Sequence, residues 1–252
     1  MDVAGNGGGN DSAVAAARML TTAPLGTPRM RFLRGTARAE DLREDVATLK
    51  SGLKLAGSDE KRFVLPLVDR LETARQQAAE TCDLSPLWMA KAATCSNLLP
   101  TDFFAGGLVD QELPAQWRRK PWAEQASATA RYDYEPGLWT GPVVLLVDSN
   151  SASATELFTA MLVDAGRARV IGAPTAGAGC GWTLPRASTE LLHSKGKLDM
   201  PDCVRLRKDG SNELDGIQPG LLIGFRRYDS PRQRVDRLQA AMPTLLEALT
   251  IR

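Results

Sequence analysis

Between Gly141 and Trp182 the spacing of apolar residues changes from continuous to helical and back again. Val143 to Val147 is an unbroken apolar run of valine and leucine, the pattern of a strand buried on both faces. Asp148, Ser149 and Asn150 end it with turn chemistry. From Ala154 to Ala165, Leu157, Phe158, Met161 and Leu162 recur at helical spacing, and Gly166 stands where a helix-terminating glycine belongs. Arg169 to Ile171 predicts a second short strand, and Gly172 to Gly181 a glycine-rich loop.

The flanks follow other periods. Residues 1–22 read as a strand end, the glycine loop GNGGGN and an alanine-rich helix over Ala13 to Leu20, capped by Asp11 or Ser12. On that reading the chain begins in mid-domain; a flexible glycine-rich tail is the alternative. Met30, Phe32 and Leu33 predict a short strand, and the neighbouring Arg29, Arg31, Arg34 and Arg38 are expected on a solvated face. Leu42, Val46, Leu49 and Leu53 mark a helix over Asp41 to Leu55. Val64, Leu67, Leu71 and Ala74 mark another over Lys61 to Glu80, with Pro66 tolerated in its first turns. The two should pack as a hairpin.

Residues 82–140 are aromatic and broken by Pro86, Pro100, Pro114, Pro121 and Pro136, as in a packed loop region that covers a core. Short strands follow in 183–225, one alternating around Val204 and Leu206 and one over Leu221 to Phe225. A last amphipathic helix over 230–249 carries Val235, Leu238, Met242 and Leu246.

Composition narrows the class. The 252 residues are enough for a substantial core, and 43% hydrophobic with 24% charged residues is ordinary for a soluble globular chain. A net charge of +1 points to no polyanion or membrane surface, and no apolar run reaches the length of a membrane span. The opening residues lack the basic and then apolar regions of a signal peptide. Cys82, Cys95, Cys180 and Cys203 form no CxxC pair, so zinc and dithiol redox motifs are not expected. Disulfides Cys82–Cys95 and Cys180–Cys203 in an exported protein, or free thiols in a cytosolic one, are both compatible with this count. GNGGGN lacks dinucleotide-binding spacing and no Walker lysine occurs. No metal, organic cofactor or nucleic-acid partner is expected.

The candidate chemistry centres on Ser153, at the start of the predicted helix between the small residues Ala152 and Ala154. A helix N-terminus offers unpaired amides and the positive end of the dipole. A hydroxyl there can attack a carbonyl while nearby N–H groups receive the oxyanion. Ser153 to Glu156 also spells a capping box, so a structural cap is the competing role.

These pieces together resemble the tail-specific proteases, or C-terminal processing peptidases, and within them the tricorn-core-like branch. The motifs that carry the resemblance are Asn150-Ser-Ala-Ser153-Ala-Thr-Glu156, Asp164-Ala-Gly-Arg-Ala168, Ile171-Gly172 and Thr175-Ala-Gly-Ala-Gly179. Asp2 to Gly9 is similar to the family's D-x-R-G-N-x-G-G segment, with Ala4 in place of the usual arginine. The matching motifs fall within residues 1–22 and 137–225, with 28–136 as a helical and aromatic insertion. The resemblance implies an α/β, crotonase-like core of stacked ββα units and a serine-type peptidase acting on peptides. It implies Ser153 as nucleophile and the Ala154 amide with a Gly8 or Gly9 amide as the oxyanion hole. The family's loop lysine is replaced by Ala178, so no Ser–Lys dyad exists. The tricorn-like branch uses a histidine from early in its chain and a glutamate that maps to Glu213 in Glu213-Leu-Asp-Gly-Ile-Gln-Pro219. His193, the single histidine, does not correspond to that position. The expected activity of this chain alone is therefore impaired, with an inactive peptide-binding module, or His193 or Lys195 acting as a substitute base, as the alternatives. Family members are usually exported in bacteria, which implies a periplasmic or extracellular site.

Overall fold

The computed structural model describes residues 1–80, 82–89, 91–92, 95–181, 189–223 and 229–250. Its helices are α1 (Ser12–Arg18), α2 (Thr36–Gly52), α3 (Ser58–Ala79), α4 (Ser85–Trp88), α5 (Ala123–Ala126), α6 (Ala154–Asp164) and α7 (Pro231–Thr250). Its strands are β1 (Arg29–Phe32), β2 (Phe103–Phe104), β3 (Val143–Val147), β4 (Ala168–Gly172), β5 (Thr189–Glu190), β6 (Lys197–Leu198), β7 (Cys203–Leu206) and β8 (Leu221–Leu222). Phe225 of the expected last strand and Trp182 lie outside the described residues. The class is α/β. Two units form: residues 1–26, 134–179 and 213–252 make the first, and residues 27–133 and 180–212 the second.

The first unit is built on a parallel sheet in the order β3-β4-β8. Alternation along β3 sends Val143, Leu145 and Val147 to one buried face, while Val144 and Leu146 pack with Ile171, Ile223, Leu238 and Leu245 on the other. Helix α7 thus covers one face; α6 packs against β4, and α1 against α6. The N-terminal residues are not a free tail. The Val3 amide donates to Leu146 O at 3.0 Å and the Leu146 amide to Met1 O at 3.0 Å, which adds a parallel segment beside β3.

The second unit is organised by the α2–α3 hairpin. Leu42, Val46, Leu49, Val64, Leu71 and Trp122 meet in its core, and Gly52 lies where a side chain would strike the Trp122 backbone. The proline-broken region therefore contributes to this core; Trp122 is fully buried and donates its indole N–H to Glu60 at 3.0 Å. An antiparallel sheet in the order β2-β1-β7 accompanies the hairpin. One expectation changes here. The arginines around β1 do not form a simple solvated face, because Arg29 and Arg31 pair with Asp102, and Arg38 is buried over the Phe32 ring with Asp202 at 3.1 Å. In β7 the expected half-buried strand is present at Val204 and Leu206, and Arg205 between them is the buried position. Disulfides join Cys82 to Cys95 and Cys180 to Cys203.

Candidate active site

Ser153 sits between the turn that ends β3 and the first residue of α6, with φ 56° and ψ −114°. A non-glycine residue there costs roughly 1–3 kcal/mol and has to be held by its surroundings. Glu156 does much of the holding. Its carboxylate accepts the Ser153 amide at 3.0 Å, one half of the capping box. The other half, the Ser153 side chain against the Glu156 amide, is present without the geometry of a full cap hydrogen bond. Glu156 is fully buried and also accepts the Thr175 hydroxyl at 2.6 Å and the amides of Gly177 and Ala178 at 2.7 and 2.8 Å. Its spacing from Ser153 marks this glutamate only as a capping partner. In the fold it joins the Ser153 turn to the glycine loop, and no local pattern announces that longer reach.

The same loop rests on the segment that carries Glu213. Thr175 Oγ1 accepts the Ile217 amide at 2.7 Å. Gly177 and Gly216, at φ 75° and 69°, lie where an added Cβ would overlap the carbonyls of Leu214 and Thr175 respectively. Those two glycines permit the close approach of the loops. Glu213, in the short 3₁₀ turn Glu213–Asp215, is buried.

The opening glycines reach the other side of the Ser153 turn. Ser151 Oγ donates to Val3 O at 2.9 Å, and the Ala152 amide donates to Asn6 O at 3.1 Å. Asp148 accepts the Gly5 amide at 2.8 Å and the Asn150 amide at 3.0 Å. Partial burial acts to raise the Asp148 pKa, but these amides and the Ser151 hydroxyl outweigh it and hold the carboxyl below its ordinary value. A Cβ on Gly8 would stand 2.7 Å from Ser153 Cβ and 3.1 Å from the Ala154 nitrogen, so only glycine fits. The Gly8 amide itself is donated to Asn6 Oδ1 at 3.0 Å. Gly9 and Ala154 both line one cavity of about 240 Å³. The arrangement is a strained serine at a helix start, backed by a glycine, with a cavity lined by Gly8, Gly9, Ala154 and Thr155 among others next to it.

The model of peptidase family S41 matches residues 1–221. The chain belongs to peptidase family S41. It is similar to the curated Chlamydia pneumoniae protein CPj1016/CpB1054, 27% identical over 242 residues, 92% of this chain but 34% of that protein. Mature CPAF complexed with lactacystin is similar in fold, with a TM-score of 0.59 and 17% identity over 94% of this chain and 41% of that one. A crystal structure of mature CPAF gives 0.57 at the same identity and coverage. The chain thus spans about a third of the curated relative it matches.

The S41 chain departs from a self-contained dyad in a specific way. Ala178 offers the loop an amide but no proton acceptor on its side chain. The first unit, which holds Ser153 and Glu213, contains neither lysine nor histidine. His193 is exposed between β5 and β6 in the second unit, and Lys195 there pairs with Glu190 at 3.2 Å. Cys180, Asp202 and Cys203 come close together, but both sulfurs are joined to each other and Asp202 pairs with Arg38.

Proposed function

We propose that this S41 chain carries the nucleophile and oxyanion parts of a serine endopeptidase site acting on peptide or protein substrates. The observation that carries the reading is the strained backbone of Ser153, with Gly8 packed on it and Ala154 and Gly9 among the residues that line a neighbouring cavity. Ser153 Oγ attacks the scissile carbonyl, and its proton passes to a base. The tetrahedral oxygen accepts hydrogen bonds from the Ala154 and Gly9 amides. Collapse expels the amine and leaves an acyl-enzyme on Ser153, which water hydrolyses. Gly8 is the packing surface that sets the distance between the two amide-bearing segments. Glu213, buried on the neighbouring turn, orients the base. The carboxylate of Glu156 is occupied by four donors and is not the proton acceptor.

The base is supplied from outside the first unit, because that unit has no histidine or lysine to offer. Within the chain, His193 is exposed in the second unit and Lys195 is paired with Glu190, so unless one of them serves as the base the 252-residue chain alone is expected to turn over peptides slowly or not at all. The same observation favours a second reading, a peptide-binding module without catalysis. Two disulfides support a site in an oxidising compartment, periplasmic or extracellular. A fluorophosphonate probe separates the readings: labelling that disappears in Ser153→Ala supports an activated serine, whereas peptide binding without labelling supports the module. Rapid Ser153-dependent cleavage by the chain alone would overturn the proposed impairment.

A further inference from the structure

The segment that packs on Ser153 contains the dipeptide Asn6-Gly7, exposed at both residues. Asparagine is among the thermolabile residues. Asn6 Oδ1 accepts the Gly8 amide at 3.0 Å, which draws electrons from the Cγ carbonyl and makes it a better electrophile. Among the described residues, neither Asn6 Nδ2 nor the Gly7 amide has a hydrogen-bond partner. Gly7 has no side chain, and the place of its missing Cβ is clear of non-adjacent atoms to 4 Å. Electrophile, leaving group and nucleophile are therefore all available at one peptide unit. The other asparagines lack this combination. Asn10 and Asn212 precede the larger, charged Asp11 and Glu213. The amide after Asn97 is donated to Ser96 Oγ at 3.1 Å, and the amide after Asn150 to Asp148 O at 2.9 Å.

We propose that Asn6 is a self-modification site, converted by water to an aspartyl or isoaspartyl residue, and that the isoaspartyl form loosens the Ser153 turn. The Gly7 nitrogen gives up its proton and forms a bond to Asn6 Cγ. The Cγ–Nδ2 bond breaks, the nitrogen takes up the proton and leaves as ammonia, and a five-membered succinimide remains. Water then opens the ring. Attack at Cγ gives aspartate. Attack at the main-chain carbonyl gives isoaspartate, in which the chain runs through Cβ and Cγ and is longer by one carbon. The net change is amide plus water to carboxylic acid plus ammonia. The site matters because two contacts fix this segment. Asn6 O accepts the Ala152 amide at 3.1 Å, and a Cβ on Gly8 would stand 2.7 Å from Ser153 Cβ. In isoaspartate the carbonyl that Ala152 uses leaves the main chain as a pendant carboxylate, so the Ala152 bond no longer sets where Gly8 lies. The modification stands apart from the Ser153 reading; its effect on serine chemistry rests on that reading.

The test reads the covalent change first. The folded full chain is incubated at mildly alkaline pH, which favours loss of the Gly7 amide proton, and is then digested with trypsin. The peptide ending at Arg18 contains both Asn6 and Asn10, so Asn10 is an internal reference. Fragmentation mass spectrometry should place the exchange of NH₂ for OH at Asn6, faster than at Asn10 by about tenfold or more. Methylation by an isoaspartate-specific methyltransferase should rise in step. Gly7 lies outside the left-handed region and its Cβ position is open, so Gly7→Ala should keep the melting temperature and slow the conversion by about tenfold. Hydrogen exchange at the Ala152 amide should be faster in the isoaspartyl chain than in the fresh one. Conversion no faster at Asn6 than at Asn10, or no slower in folded Gly7→Ala, overturns the modification. Unchanged Ala152 exchange in the isoaspartyl chain overturns its consequence. Fluorophosphonate labelling is scored separately. Labelling that falls as isoaspartate accumulates supports both readings, whereas a chain that converts at Asn6 but never labels retains the modification and counts against the peptidase.

Discussion

The two units keep their structure by different means. The second is held by apolar volume: α2 and α3 close over Leu49, Leu71 and Trp122, and its polar pairs lie mostly at or near the surface. Around Ser153 the first unit is held by polar satisfaction. One buried carboxylate gathers four donors, and three glycines, Gly8, Gly177 and Gly216, let backbone segments meet where a Cβ could not fit. A volume-held region tolerates changes of charge and resists changes of size. A satisfaction-held region should in addition be sensitive to the loss of a donor or acceptor at unchanged size, and experiment can break that contrast.

The largest effect is expected from size in the second unit. Trp122→Ala empties a fully buried aromatic site beside Phe63 and Trp117 and should cost about 3–5 kcal/mol in denaturant unfolding. A loss under about 1 kcal/mol would show that the core is not what holds this unit.

Next comes charge at constant size. Glu156→Gln keeps the volume but turns an amide donor towards other donors, and should cost roughly 2–3 kcal/mol. It should also raise hydrogen exchange at Gly177 and Ala178, which a wild-type exchange pattern would contradict.

The smallest effect follows pH. The folded Asp148 pKa is depressed, so its contribution is complete above the ordinary value of 3.8 and is lost as pH falls through the lower folded value. The Gly5 amide reports this directly, since it donates to the carboxylate. Its ¹⁵N–¹H signal should titrate with a midpoint below 3.8 in wild type and stay flat in Asp148→Asn. A midpoint at or above that value would show that the Gly5 amide does not hold the carboxylate in its charged form.

Much of the scaffold was legible from local pattern. The apolar run of β3, the period of α2, α3 and α6, and the glycine ending α6 are short-range signals, and the structure places each within a few residues of its expected bounds. The pairing of β7 was not legible, because its partner β1 lies more than 170 positions away in sequence. Residue type likewise marked Ser153, its capping partner and the loop position without a base. Only the tertiary structure decided that Glu156 reaches from its cap into the Thr175–Ala178 loop, and that Gly8 packs on Ser153 while its own amide is taken by Asn6. Helix and strand periods arise from contacts between near neighbours, so one chain segment suffices to specify them. A buried carboxylate acquires donors, and a glycine acquires a reason to be glycine, only when distant segments are brought together by the packing of the whole unit.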